Sequence, residues 1–226
     1  MKLSNLPFDL VIFDLDGTLV EFRYPSAEVR QSIIDLLRSL GISLPPEVMR
    51  RPTQDIFDEV AIQVKKSCSL NLDEVMARVN DVIDLYEMEA AISTTIFEDA
   101  KNVLEELKND GLKTALVTNS GRKATECMLG RFGLKGFFDS IVTRNDVLRL
   151  KPYPDGILWV INRLGASRAR TLFVGDSPID VKAGRAAGVT VAALKSPFFK
   201  SLNDFEIKPD HFLDRLSDIL LLIRRL

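Results

Sequence analysis

The sequence predicts an α/β protein, a doubly wound parallel sheet with a small all-helical insertion directly after its first strand. Three observations carry this. From residue 99 onward, short apolar runs alternate with helical patterns, and repeated β–α alternation builds parallel sheets with helices on both faces. The apolar runs are continuous, as in Leu10-Val11-Ile12-Phe13, which is the signature of strands covered on both sides. From Phe22 to Thr94, by contrast, apolar residues recur only at helical spacing.

The elements follow in order. Leu10 to Phe13 ends abruptly in Asp14-Leu15-Asp16-Gly17-Thr18, where Gly17 lets the chain turn away. Val29, Ile33, Ile34, Leu36, Leu37 and Leu40 mark a first helix stopped at Gly41, and Pro45-Pro46 separates it from a second bearing Ile56, Val60 and Val64. Asn71 is a cap for a third, which carries Val75, Val79, Val82, Ile83, Leu85 and Met88. A helix from Asp99 to Asp110 ends before Gly111. The strand Lys113 to Val117 exits into Thr118-Asn119-Ser120-Gly121, a helix runs on to Phe132 and stops at Gly133, and Phe138 to Val142 is a short strand. Lys151-Pro152-Tyr153-Pro154 opens a helix through Leu164. Thr171 to Val174 then runs into Gly175-Asp176-Ser177-Pro178-Ile179-Asp180. A helix to Ala187 ends before Gly188, Thr190 to Ala193 is a further strand, and residues 214–225 form a closing helix.

Composition narrows the function. A length of 226 residues suits one domain with a smaller insert, and 46% hydrophobic residues supply a sizeable core. A net charge of −2 argues against a nucleic-acid or anionic-membrane surface. Met1-Lys2-Leu3 leads almost at once into the first strand with no signal pattern, and Ile219 to Ile223 is too short to span a bilayer, so a cytoplasmic protein is expected. Cys68 and Cys127 lack metal-ligand spacing and read as buried free thiols, with a bridge between them as the alternative. His211 is the single histidine. Acid–base chemistry must therefore rest on carboxylates, lysine or hydroxyls.

Three polar clusters each follow an apolar strand: Asp14 with Asp16, Thr118 with Asn119, and Asp176 with Asp180. Parallel strands joined by right-handed crossovers present their carboxyl ends along one edge, where open α/β sheets bind ligands. Asp14, Asp16 and Asp176 offer hard oxygen ligands, which favours Mg2+. Thr118, Asn119 and nearby backbone N–H groups make an anion seat, and Lys151 adds a positive point charge suited to a phosphoryl group. Such a site transfers a phosphoryl group by positioning and charge neutralisation. One aspartate can attack as nucleophile, and a second, two residues on, can serve as proton donor and acceptor.

Asp14-Leu15-Asp16-Gly17-Thr18, Thr118-Asn119, Lys151-Pro152 and Gly175-Asp176-Ser177-Pro178-Ile179-Asp180 resemble, in order, the four motifs of the haloacid dehalogenase-like hydrolase superfamily. The matching framework covers nearly the whole chain, and the insertion resembles that superfamily's helical cap of the first type. The resemblance implies a Rossmann-like core at 1–21 and 95–226 and a cap at 22–94. It implies Mg2+-dependent hydrolysis of a small phosphate monoester, as in phosphoglycolate phosphatase-like members. By the same resemblance Asp14 is nucleophile and metal ligand, and Asp16 is general acid/base with its backbone carbonyl toward the metal. Thr118 and Asn119 hold phosphoryl oxygens, Lys151 neutralises charge on Asp14 and the phosphate, and Asp176 ligates the metal. Asp180 orients the metal's waters or Lys151. The expected partner is a small phosphorylated metabolite, with neither nucleic acid nor membrane, and the expected assembly is a monomer or homodimer.

Simpler uses exist for each residue alone. An Asp-Gly pair is often only a turn, Asp180 can cap the helix after Pro178, Thr118-Asn119-Ser120 can cap another, and Lys151 can be a solvated lysine. Arg50 and Arg51 read as a solvated helix face, with contact to a leaving group as the alternative. Gly184 and Gly188 read as packing and helix-end positions. A phosphomutase of the β-phosphoglucomutase type uses the same aspartate pair and stays open. Asp16 argues against a 2-haloacid dehalogenase, which has no leaving oxygen to protonate. The helical insertion and Lys151-Pro152 argue against a non-enzymatic phosphoacceptor or regulatory domain.

Overall fold

A computed structural model describes residues 6–21, 24–45, 47–48, 51–67, 70–197 and 199–225. In chain order the elements are β1 (Leu10–Phe13), β2 (Val20–Glu21), α1 (Ser26–Ser39), α2 (Thr53–Lys66), α3 (Leu72–Ser93), β3 (Thr95–Ile96) and α4 (Ala100–Asn109). They continue as β4 (Lys113–Val117), α5 (Arg122–Phe132), β5 (Ser140–Val142), α6 (Asp155–Leu164), β6 (Thr171–Gly175) and α7 (Pro178–Ala187). The last three are β7 (Thr190–Leu194), β8 (His211–Leu213) and α8 (Asp218–Arg225). The chain divides into two compact units, Met1–Phe22 with Thr94–Leu226, and Arg23–Ser93.

The larger unit is built on a six-stranded parallel sheet in the order β5-β4-β1-β6-β7-β8. The chain thus builds outward from β1 to one side, through β4 and β5, and then returns to build β6, β7 and β8 on the other. Connections leaving β1 and β6 diverge, which opens a crevice at the carboxyl ends of these two strands. Every residue of β1 is wholly buried, which accounts for its unbroken apolar sequence. One core cluster joins Leu10, Ile12, Val117 and Phe173 of the sheet to Ile157 on α6 and Ala183 on α7. At the amino ends of the same central strands, Arg170 forks onto Asp9, both contacts at 2.6 Å. The end opposite the crevice is thereby tied down.

The smaller unit is entirely helical among its described residues. Each helix contributes a row at i, i+4, i+8: Val29, Ile33 and Leu37; Ile56, Val60 and Val64; Val75, Val79 and Ile83. The Asn71 carboxamide oxygen accepts from the backbone N–H of Asp73 (2.8 Å) and Glu74 (3.2 Å), so the expected cap of α3 is formed. Arg51 is exposed in this unit. Arg50 and Cys68 lie outside the described residues.

Several boundaries differ from expectation. The tail was expected to be helical from residue 214, yet His211–Leu213 joins the sheet edge as β8 and the helix begins only at Asp218. The backbone N–H of Ser217 donates instead to Asp99 Oδ2 at 2.8 Å. Strand β5 is shorter than Phe138 to Val142, because Asp139 uses its carboxylate to accept from the Thr114 backbone N–H at 2.8 Å. Helix α6 starts at Asp155, which leaves Lys151 in the preceding loop. The two-residue strands β2 and β3 pair antiparallel and are too short to leave a sequence pattern. Cys127 is free and half-buried rather than buried. Among the described residues, no helix is long and apolar enough to cross a membrane.

Candidate active site

The crevice at the carboxyl ends of β1 and β6 gathers the predicted polar residues. Asp14 follows β1 directly, and its backbone N–H donates to the Val174 carbonyl of β6 at 2.9 Å. This extends the strand pairing by one residue and fixes the carboxylate at the mouth of the crevice. Asp176 follows β6, and Asp180 lies in the first turn of α7. There Ser177 and Asp180 form a capping box, with the Ser177 backbone N–H donating to Asp180 Oδ2 at 3.1 Å and the Ser177 hydroxyl at 2.5 Å.

Two glycines permit this crowding. A Cβ on Gly175 would lie 2.5 Å from Asp180, and a Cβ on Gly17 would lie 2.4 Å from the Asp176 carboxylate, with Gly17 also at φ +77°. Gly17→Ala should therefore displace Asp176 and lower kcat/KM by about 100-fold or more, as ångström-scale misplacement does. Steady-state kinetics on folded variant checks it.

Lys151 is only 5% exposed, and its Nζ lies 2.7 Å from Asp14 Oδ1 and 2.7 Å from Asp180 Oδ1. This is a buried ammonium between two carboxylates, not a solvated lysine. Asn119 holds it in place: the Lys151 backbone N–H donates to Asn119 Oδ1, and Asn119 Nδ2 donates to the Lys151 carbonyl, both at 3.0 Å. Asn119, expected to hold phosphoryl oxygens, thus engages its carboxamide with the lysine's own backbone. Thr118 keeps its place beside the acids, with its hydroxyl 3.4 Å from Asp16 Oδ2.

The carboxylate cluster also differs in membership. Asp14, Asp176 and Asp180 offer ligand oxygens that all lie within 4.8 Å of one another. Asp16 is expected to face the metal through its backbone carbonyl, and its side chain accepts from the hydroxyls of Ser120 and Thr118. Asp180, expected only to assist, stands inside the cluster because α7 begins directly above Gly175.

Electrostatics follow from burial. Desolvation raises the Asp14 carboxyl well above its ordinary range, Lys151 pulls it back, and Asp180 and Asp16 push it up again. Asp176 is raised from 3.8 to about 7, first by burial and then by Asp180. Burial alone would lower the Lys151 ammonium, but Asp14 and Asp180 outweigh it and the group is held charged. Lys151 thus stands between Asp14 and Asp180, while Asp176 and Asp16 add further negative charge nearby. An all-oxygen, buried, negatively overloaded cluster fits a hard divalent cation, with Asp14, Asp176 and Asp180 to hold it.

A carboxyl raised on folding contributes stability that is present below its unfolded pKa and lost as pH climbs through the folded one. For Asp176 the window is pH 4 to about 7. In EDTA, unfolding free energy should fall across this range by about 2–4 kcal/mol more in the wild type than in Asp176→Asn. Millimolar MgCl2 at pH 8 should restore it, as urea unfolding would measure.

Two residues that sequence reasoning passed over belong to the site. Ser120 is buried, and its hydroxyl donates to Asp16 Oδ2. Thr118 and Ser120 lie two residues apart in the bent loop that leaves β4, and both hydroxyls reach the same Asp16 oxygen. Arg144 is buried behind the same loop, its backbone N–H donating to the Ser120 carbonyl at 3.1 Å and Nη1 to the Asn119 carbonyl at 3.3 Å.

Comparison with known proteins places the chain in a family. The family described as haloacid dehalogenase-like hydrolase matches residues 11–194. The chain is 30% identical over 219 residues to the pyrophosphatase PpaX of Bacillus cereus (strain AH820), covering 95% of this chain and 96% of that protein. It is 29% identical over 223 residues to phosphoglycolate phosphatase 1 of Pseudomonas aeruginosa (strain PAO1), covering 93% and 78%. A hydrolase from Pseudomonas syringae shares the fold with a TM-score of 0.70 at 24% identity, covering 96% of this chain and 98% of that one. From the family match, the relatives and the fold, the chain belongs to the haloacid dehalogenase-like hydrolases.

Proposed function

We propose that the protein is a Mg2+-dependent phosphatase that hydrolyses a small phosphorylated anion through an aspartyl phosphate on Asp14. The observation that carries this reading is the Asp14 carboxylate, set at the β1/β6 crevice with the Lys151 ammonium at 2.7 Å and two further acids within 4.8 Å. When bound, Mg2+ would hold Asp14 in its ionised form and offset phosphoryl charge. Asp14, Asp176 and Asp180 would hold it.

Asp14 attacks phosphorus, and the bond to the leaving oxygen breaks. Asp16 gives that oxygen a proton, and later takes one from the water that hydrolyses the aspartyl phosphate. The Thr118 hydroxyl donates to a phosphoryl oxygen. Lys151 neutralises charge on Asp14 and on the phosphoryl group, and is kept at its post by Asn119 and Asp180. The relatives named above make pyrophosphate and 2-phosphoglycolate the first compounds to assay, beside p-nitrophenyl phosphate.

The test is phosphate release from these three compounds, by EDTA-stripped protein with and without MgCl2. Release that requires the metal supports the reading, and no release from any of them overturns it. Interconversion of hexose phosphates without net phosphate release would establish the phosphomutase alternative instead.

A further inference from the structure

We infer that Ser120 is a positioning residue for Asp16, fixing which of its two carboxyl oxygens delivers the proton. The inference rests on the reading of Asp16 as proton donor. The Ser120 hydroxyl donates to Asp16 Oδ2, and its backbone N–H donates to Thr118 Oγ1 at 3.0 Å. The helix that follows makes no other claim on this hydroxyl: α5 is capped at Gly121 without any side-chain hydrogen bond. The exit loop is itself held, by Thr118 N–H to the Val142 carbonyl at 3.0 Å and by Arg144 to the carbonyls of Asn119 and Ser120. Ser120 is 5% exposed, so water competes little for the contact.

Proton counting separates the two hydroxyls. Thr118 lies 3.4 Å from the same Asp16 oxygen, but a hydroxyl has one proton to donate. Once Thr118 donates to a phosphoryl oxygen, the Ser120 hydroxyl keeps its hydrogen bond to Asp16. With Oδ2 occupied as acceptor, the proton that Asp16 gives to the leaving oxygen is carried on Oδ1, so one hydroxyl sets both the acid's oxygen and its direction.

A leaving-group comparison tests this. Phenyl phosphate and p-nitrophenyl phosphate have similar shapes, but phenolate leaves less readily and depends more on proton donation. kcat/KM reports steps only up to departure of the leaving group. In Ser120→Ala, the ratio of kcat/KM on p-nitrophenyl phosphate to that on phenyl phosphate should rise about tenfold over wild type, and in Asp16→Asn about 100-fold. A merely structural defect lowers both substrates together. Should Ser120→Ala fail to fold, the isosteric Ser120→Cys, a weak donor, should raise the ratio by a smaller factor. A ratio raised in Asp16→Asn but unmoved in the Ser120 variants overturns the inference alone. A ratio unmoved in Asp16→Asn overturns the assignment of Asp16 itself, and this inference with it.

Discussion

Asp14→Asn is expected to remove phosphatase turnover almost completely, by about 10^4-fold or more in kcat, while leaving the protein folded. The substitution keeps the side chain's shape but leaves no anionic oxygen to attack phosphorus. Lys151 retains Asp180 at 2.7 Å, so the ammonium is not stranded. The effect on stability should run the other way. Burial and neighbouring acids raise the Asp14 carboxyl, so the metal-free fold carries an ionisation cost at alkaline pH that asparagine lacks. Urea unfolding in EDTA at pH 8 should find the variant at least as stable as the wild type, and a rapid acid quench after a phosphorylated substrate should trap no phosphoenzyme. A site residue whose loss kills turnover and spares the fold is held there for chemistry.

Lys151→Met should do the reverse, damaging both. It leaves Asp14 and Asp180 facing each other in a buried crevice with no cation between them. Removing one partner of a buried charge pair costs about 3–5 kcal/mol, and the loss should appear in urea unfolding without metal. Turnover should fall about 10^3-fold, since preorganised charge at the phosphoryl group is lost. The double variant Lys151→Met/Asp180→Asn should recover part of the stability and none of the turnover. Two sites that did not interact would show additive stability losses instead.

Much of this was legible because each strand announces its exit. Apolar runs that stop at Asp14, at Thr118 and beyond Val174 place three polar clusters on one sheet edge, and their alternation with helices orders the sheet. What sequence leaves open is which way a side chain turns. Asp180 joins the acids because α7 brings it in over Gly175, and two hydroxyls orient the Asp16 side chain. Asn119 finds its partner on the backbone of Lys151, a pairing set by how the loops meet. Ser120 carries no motif of its own, because its contact with Asp16 depends on the bend of the loop after β4. Strand β8 was illegible for a different reason: three residues that add to an existing edge need no pattern of their own.

The register of β1 against β6 has a consequence for how the protein is made. Leu10 pairs with Thr171, about 160 residues later in the chain, and Asp14 reaches the crevice only through the Val174 carbonyl. Nothing catalytic can assemble on a nascent chain that has not yet emitted β6, and contacts of such range are slow to form. During refolding from urea, helical signal should therefore return ahead of catalysis. The enzyme's first strand waits for β6, and activity is among the last properties the chain acquires.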